Sequence, residues 1–392
     1  MIDDLITKSD RKICLLVIDG LGDIPSPTPL EAARTENLDR LTKSSALGLI
    51  DPVGPGITPG SGPGHLALFG YDPVETQIGR GLLEALGVGI EVRENDLYLR
   101  GNFATQRDGI VVDRRAGRIP TEETVRLCER LKEIDRIEDV EVRIKPGKEH
   151  RFVVVFNGEG LSAGVTDADP QKSGKEMVEA RPLIPEAEKT ARIINRFVEL
   201  SNKILKGEKR ANHVLLRGAA TYPKLKTFKE RFQLRALAIA SYPMYLGIAR
   251  LVGMETINPG SDLSQLFQTF AEHREEYDFF YLHIKETDKA GEDGDFDKKR
   301  EIIEAIDQKL PILLEAKPDV LAITGDHSTP VRLRSHSWHP SPLLINSEFA
   351  PTDGLSRFTE LNCRLGSIGR IRGKELMPLL LANSLRLKKY GA

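Results

Sequence analysis

Three short apolar runs, each ending abruptly in an acidic loop, constrain this chain most. Ile13–Ile18 (ICLLVI) stops at Asp19-Gly20-Leu21-Gly22-Asp23, Phe279–Ile284 (FFYLHI) at Lys285-Glu286-Thr287-Asp288, and Val320–Thr324 (VLAIT) at Gly325-Asp326-His327. Continuous apolar runs of this length are the pattern of strands buried on both faces of a parallel sheet. Parallel strands need crossovers. Phe296–Glu315 is long enough to supply one, with apolar residues near helical spacing at Ile302, Ile303, Ile306, Leu310, Leu313 and Leu314. Pro311 predicts a kink or a second segment there. The two ends of the chain therefore predict one α/β sheet. Its polar groups collect beyond the carboxyl ends of the strands, where open α/β sheets bind ligands.

The middle of the chain reads differently. Between residues 102 and 185, strand-like pieces (Gly109–Val112, Val140–Ile144, Phe152–Phe156) surround one amphipathic helix, Thr121–Ile134, which predicts an inserted smaller α+β domain. A helix over Ile184–Leu205 is expected to return the chain to the core. The predicted organisation is a discontinuous core, 1–101 with 186–392, around an insert, 102–185. A length of 392 residues accommodates both.

Composition excludes several classes. With 40% hydrophobic and 29% charged residues the chain is neither disordered nor collagenous, and no stretch nears the 18 apolar residues of a membrane span. A net charge of −2 argues against a broadly basic nucleic-acid binder but permits a local basic pocket for an anionic substrate. Cys14, Cys128 and Cys363 are far apart and form no CxxC pair, so neither a disulfide framework nor a cysteine zinc site is expected. The polar, acidic start MIDDLITKSDRK does not resemble a signal peptide, and the expected compartment is the cytoplasm.

Chemistry concentrates in a few places. The chain has only 8 histidines, yet His327, His336 and His339 fall in one string, GDHSTPVRLRSHSWHP. Imidazole nitrogen and carboxylate oxygen together suit cations such as Zn²⁺ and Mn²⁺, and Asp19, Asp288 and Asp326 converge on these histidines if the sheet is ordered as argued. Each aspartate taken alone also fits a helix cap or a turn. Ser61 and His65 lie in a loop, Gly54 to His65, rich in glycine and proline. Backbone N–H groups exposed there suit a phosphate or a developing negative charge, although such residues also merely shape turns. The loop is neither a Walker loop nor a Gly-x-Ser-x-Gly elbow. Arg114, Arg115 and Arg118 place three guanidinium groups within five positions, suited to carboxylate or phosphate oxygens or to a solvated face.

Together VIDGLGD (Val17–Asp23), PGSGPGHLALFGYDP (Pro59–Pro73), DRRAGRI (Asp113–Ile119), TDKAGEDGD (Thr287–Asp295) and GDHSTP with SHSWHPSP (Gly325–Pro342) resemble the archaeal-type, 2,3-bisphosphoglycerate-independent phosphoglycerate mutases of the alkaline phosphatase superfamily. The resemblance spans nearly the whole chain, in order. It implies an alkaline-phosphatase-like core sheet flanked by helices, two divalent metal ions, and interconversion of 2- and 3-phosphoglycerate, in glycolysis or gluconeogenesis, through a phosphoserine. Mn²⁺ ranks ahead of Mg²⁺, Zn²⁺ and Co²⁺. Carried over by motif, Ser61 is similar to the nucleophile, Asp19, Asp326 and His327 to the ligands of the metal that also holds Ser61, and Asp288 and His336, or His339 in its place, to those of the other, with Glu292 as a further ligand there. His65, Arg114, Arg115, Arg118 and His339 are expected to contact a small phosphorylated carboxylate, with neither nucleic acid nor membrane as partner.

The sequence departs from that pattern three times. Glu292 stands where many relatives have histidine, Ser61–His65 reads Ser-Gly-Pro-Gly-His instead of Ser-Asp-Thr-Ala-His, and Leu246 occupies a position expected to be basic. The alternatives are another phosphomutase or phosphatase of the same superfamily, and a catalytically silent binding protein.

Overall fold

The computed structural model describes residues 2–76, 78–223 and 225–391. The chain divides into two compact units, Met1–Gln77 with Leu225–Ala392, and Ile78–Lys224. The three apolar runs become strands with the expected bounds at the centre of the first unit, and Ile13–Ile18 pairs in parallel with both Phe279–Ile284 and Val320–Thr324. The full order is Glu255–Ile257, Ala236–Ala240, Phe279–Ile284, Ile13–Ile18, Val320–Thr324, Ser341–Ser347, Ala46–Asp51, Gly369–Arg372. Ser341–Ser347 is antiparallel to both its neighbours, so Ala46–Asp51 again points the same way as Ile13–Ile18. Hence the loops after residues 18, 51, 284 and 324 all leave one edge of the sheet.

Side chains alternate across each strand. Leu16, Ile18, Phe280, Leu282, Leu321 and Ile323 form one face and share a core with Ile303, Ile306, Leu310 and Leu313 of the helix Phe296–Glu315. That helix connects strands on either side of Ile13–Ile18, and Pro311 lies inside it without ending it. The opposite face carries Tyr281 and His283, which pack against His65, Phe69 and Tyr245.

The second unit is wider than the insert expected over 102–185. Its axis is the twelve-residue strand Asp96–Arg107, which pairs antiparallel with Arg151–Asn157 and with His213–Thr221. The helix Arg80–Gly87 packs on this strand. The helix expected over Ile184–Leu205 forms as Glu188–Ile204 and does not lead back to the first core. Its apolar stripe (Ala191, Ile193, Ile194, Phe197) is buried with Leu97, Val154 and Phe156 of the second unit, with Phe197 edge-on to Phe156. The spacing of apolar residues specifies which stripe a helix buries but not which core receives it. The helix expected over Thr121–Ile134 ends at Leu131.

One buried polar cluster lies behind the 19–23 loop. Lys299, fully buried in the first turn of its helix, donates to Asp23 Oδ2 at 2.8 Å. Glu360 accepts from the Asp23 N–H at 3.2 Å and from the Thr28 hydroxyl at 2.8 Å. Burial pushes the Glu360 carboxyl up to about 7 despite the Thr28 hydrogen bond. The folded state therefore holds a proton that the unfolded chain releases near pH 4.5. The stability this contributes is present below that pH and is lost as pH rises through about 7. Glu360→Gln, neutral at every pH, is expected to gain on the order of 3 kcal/mol relative to wild type between pH 4.5 and 8. Urea denaturation of both proteins across that range checks this. Parallel stability curves would refute the shift.

Candidate active site

At the carboxyl edge of the first unit's sheet, Asp19 is the first residue beyond its strand, and the turn that follows depends on Gly20, whose φ is +64°. A Cβ at residue 20 would lie 2.7 Å from Thr329 Oγ1 and 2.9 Å from Asp288 Cα. Glycine thus lets the loops after residues 18, 284 and 324 meet. The Gly20 N–H donates to Asp326 Oδ1 at 3.2 Å, and the Thr287 hydroxyl donates to the Asp19 carbonyl at 2.5 Å. Asp19, Asp288, Asp326, His327 and His336 all gather here. Their ligand atoms form two overlapping groups, Asp19 with Asp326 and His327, and Asp288 with His327 and His336, each within 4.8 Å.

Hydrogen bonds fix how the imidazoles face this cluster. The Thr329 hydroxyl donates its one proton to Asp288 Oδ1 at 2.6 Å, so at 2.9 Å it accepts from His327 Nδ1–H. His327 Nε2 is left with a lone pair, 3.3 Å from Asp19 Oδ1 and 3.2 Å from Asp326 Oδ2. His336 Nδ1–H donates to the Pro59 carbonyl at 3.0 Å, which leaves Nε2 free 3.6 Å from Asp288 Oδ1. Asp19 Oδ1, Asp326 Oδ2 and His327 Nε2 are buried and have no hydrogen-bond partner. Three buried ligand atoms facing one another with no assigned hydrogen-bond partner fit a divalent cation, and the oxygen and nitrogen donors suit a hard or borderline one. Glu292, about half exposed and 4.0 Å from His336 Nε2, stands at the rim of the second group.

The charges here are strongly coupled. Burial, and then the neighbouring Asp19, push the Asp326 carboxyl well above the ordinary range. Burial also acts against Asp19, but hydrogen bonding from His283 and the charge of Lys285 outweigh it and hold that carboxyl well below its usual value. His327 is pushed down to about 3, chiefly by burial, and is neutral, as a ligand must be. His283 Nε2 donates to Asp19 Oδ2 at 3.0 Å, and Lys285 Nζ lies 3.3 Å from Asp19 Oδ2 and 2.5 Å from Asp288 Oδ2. Neither was legible as a site residue. The signal for His283 was a single polar position inside FFYLHI, and for Lys285 a cation beside Asp288. Lys285 also bears on the missing cation at Leu246. Leu246 is buried, and the ring of its neighbour Tyr245 lies 5.6 Å from Lys285 Nζ.

Ser61 opens the helix Ser61–Leu68, and Gly60 precedes it as cap. A Cβ at Gly64 would lie 2.5 Å from the Asp326 carbonyl, so the Ser-Gly-Pro-Gly-His loop brings the serine helix hard against a ligand-bearing loop. The buried Tyr245 phenol oxygen has Asp19 and Ser61 as polar neighbours, and burial first, then the Asp19 and Asp326 charges, keep it protonated. The expected substrate contact of His65 is corrected. The ring is fully buried among Tyr245, Tyr281 and His283, and Nδ1–H donates to the Ser61 carbonyl at 2.8 Å. It supports the serine turn from beneath. His339 falls outside both ligand groups, with Nδ1 3.1 Å from Ser337 Oγ and its ring stacked on Trp338.

The second unit contains a separate basic cavity of about 550 Å³, and Arg114, Arg115 and Arg118 line it together with Arg100, Arg151 and Arg217. The arginines stand on a left-handed turn, φ +47° at Ala116, +66° at Gly117 and +52° at Arg118, which Asp113 holds by accepting from the N–H groups of Arg115 and Gly117. Their roles divide. The Arg114 fork is already occupied by Asp169, at 2.9 and 2.5 Å, whereas Arg115 and Arg118 are exposed. Burial, and then Arg217 and Arg80 against the pull of Glu84, bring Arg100 down to about 10. Crowded guanidinium groups of this kind gain from a bound anion. Arg100, Arg151 and Arg217 are scattered singly through the sequence and carry no local signal.

An α/β fold with a serine helix and paired carboxylate–imidazole groups at one sheet edge is an arrangement suited to an enzyme that uses divalent cations. Comparison makes this specific. The family model for 2,3-bisphosphoglycerate-independent phosphoglycerate mutase matches residues 42–210. Proteins of Thermotoga neapolitana and Thermus thermophilus, each named “Probable 2,3-bisphosphoglycerate-independent phosphoglycerate mutase”, are 54% and 53% identical over 100% of this chain and 98% and 99% of theirs. The structure of the cofactor-independent phosphoglycerate mutase from Thermoplasma acidophilum is similar with a TM-score of 0.76 at 30% identity, covering 95% of this chain and 99% of that one. A Pyrococcus horikoshii protein is similar with a TM-score of 0.82 at 33% identity, over 97% and 99%. The chain belongs to the 2,3-bisphosphoglycerate-independent phosphoglycerate mutases and is an isomerase, an intramolecular phosphotransferase. Among the described residues no helix is long and apolar enough to cross a membrane.

Gly20→Ala tests the packing of the three loops. A side chain at φ +64° that also meets two neighbouring loops is expected to cost about 1–3 kcal/mol or more of stability in urea denaturation. A loss below about 0.5 kcal/mol would show that the loops do not meet as described.

Proposed function

We propose that this mutase moves the phosphoryl group between the 2- and 3-hydroxyls of glycerate through Ser61, with the carboxylate–imidazole groups holding two divalent cations. The observation that carries the reading is the set of unpartnered buried atoms, Asp19 Oδ1, Asp326 Oδ2 and His327 Nε2, beside the serine helix. Asp19, Asp326 and His327, with Ser61, would hold one cation, and Asp288 and His336, with Glu292 at the rim, the other. Such ions lower the pKa of a bound hydroxyl and offset charge on attacking and leaving oxygens. Carboxylate oxygen at Glu292, where imidazole was expected, shifts preference toward Mn²⁺ or Mg²⁺.

The chain's own residues account for the remaining steps. Ser61 Oγ gives up its proton and attacks phosphorus. The P–O bond to the glycerate oxygen breaks, and that oxygen takes a proton, leaving phosphoserine and glycerate. His65, bonded to the Ser61 carbonyl, keeps the turn and hence Oγ in place. The other glycerate hydroxyl then attacks phosphorus, loses its proton and releases Ser61. Between the two transfers glycerate must stay bound, and the arginine cavity suits its carboxylate. Arg115 and Arg118 have their guanidinium groups available, and Arg114 holds the turn through Asp169.

Two experiments test the reading. Metal-reconstituted protein incubated with 3-phosphoglycerate is expected to form 2-phosphoglycerate with little free phosphate, and Ser61→Ala to lose at least about 10³-fold in turnover while keeping its cations. Acid quench should trap phosphate on Ser61, and phosphate on another residue would sink the covalent route. Arg115→Ala and Arg118→Ala are expected to raise free phosphate relative to mutase product several-fold, because the phosphoserine then outlives bound glycerate and meets water. An unchanged ratio, with both products falling together or neither falling, would remove the arginines from that role.

A further inference from the structure

We infer that Lys299 is a positioning residue of the cation site: it sets the spacing of the two ligand-bearing loops from behind, without touching substrate or cation. The inference rests on the cation reading above. Lys299 is fully buried, and its three N–H groups have three acceptors, Asp23 Oδ2 at 2.8 Å, the Thr329 carbonyl at 3.0 Å and the Gly22 carbonyl at 3.4 Å. Gly22 and Asp23 belong to the loop that carries Asp19, and Thr329 to the loop that carries Asp326 and His327. One ammonium therefore spans both.

The bridge ends on the ligands. The Thr329 N–H donates to the Gly22 carbonyl at 3.1 Å, and its hydroxyl is the group that bonds Asp288 and His327 Nδ1–H. The Thr329 carbonyl is pressed against the helix of Asp288, where a Cβ at Gly291 would lie 2.4 Å from it. Moving Thr329 would thus turn the His327 ring and shift Asp288 together. Lys299 is itself anchored, because Asp295 caps its helix and Ile303, Ile306 and Leu310 fix that helix in the core. Only an ammonium on a flexible stem offers three donors to three converging acceptors in so small a space, and a planar guanidinium would not match them. Partners that orient ligands typically govern metal affinity by about 10–100-fold.

The test is Mn²⁺ titration of metal-stripped, full-length protein, with free Mn²⁺ read by electron paramagnetic resonance and folding of each apoprotein checked by circular dichroism. Lys12→Met is the control. Lys12 is also buried and donates to the Glu275 and Tyr277 carbonyls, but it precedes the strand Ile13–Ile18, at the opposite sheet edge from Asp19. Lys299→Met is expected to weaken Mn²⁺ binding about 10–100-fold, and Lys12→Met to stay within about twofold of wild type. If Lys299→Met does not fold where Lys12→Met does, Lys299→Gln, which keeps an amide donor, is read in the same titration with an expected loss of about threefold or more. Unchanged affinity in the folded Lys299 variant, or an equal loss in both lysine variants, overturns the inference. A wild-type protein that binds no Mn²⁺ overturns the cation site itself, which separates the two failures.

Discussion

Everything at this sheet edge depends on one electrostatic problem: three aspartates and two histidines converge, four of the five fully or almost fully buried, and several of their ligand atoms face one another with no hydrogen-bond partner. Carboxylates left this way repel and lose their hydration, and the split between Asp19, held low, and Asp326, pushed high, records that cost. A divalent cation resolves it. The fold prepares for one by fixing tautomers from outside, with Thr329 holding the proton side of His327 and the Pro59 carbonyl that of His336. Each ring therefore presents a lone pair inward before anything binds, and the ordering is accomplished by folding.

The same requirement explains why small residues cluster in the loops. Gly20, Gly64 and Gly291 each have a neighbouring atom where a Cβ would stand, and in every case that atom belongs to another ligand-bearing segment. Loops carrying ligands must approach more closely than side chains allow. Substituting Gly62-Pro63-Gly64 for the expected Asp-Thr-Ala after Ser61 is consistent with this, since residue 64 meets the Asp326 carbonyl directly.

Much of the fold was legible because buried parallel strands leave an uninterrupted apolar record. Ile13–Ile18, Phe279–Ile284, Val320–Thr324 and the helix Phe296–Glu315 all form with the bounds their sequence indicates. Asp19, Asp288, Asp326 and His327 follow those runs directly and were legible for the same reason. Residues acting from the side were not. His283 looks like a core histidine within its strand, Thr329 and Lys299 look like an ordinary loop threonine and an ordinary helix lysine, and only tertiary contacts give them partners. The insert was misjudged at both ends for a related reason: the amphipathic stripe of Glu188–Ile204 does not name its partner sheet, and His213–Thr221 pairs with a strand more than a hundred residues earlier.

The two units face opposite charge problems. The first gathers carboxylates and calls for cations, whereas the second gathers guanidinium groups and calls for an anion. Arg114 shows how the second unit avoids neutralising itself. One carboxylate, Asp169, takes up one fork and orders the turn, while Asp113 spends its oxygens on backbone N–H groups and not on Arg115 or Arg118. Asp113 and Asp169 are thereby committed to shape, and the exposed Arg115 and Arg118 are left clear of both, while Arg100 is paired with Glu84 at 2.8 Å.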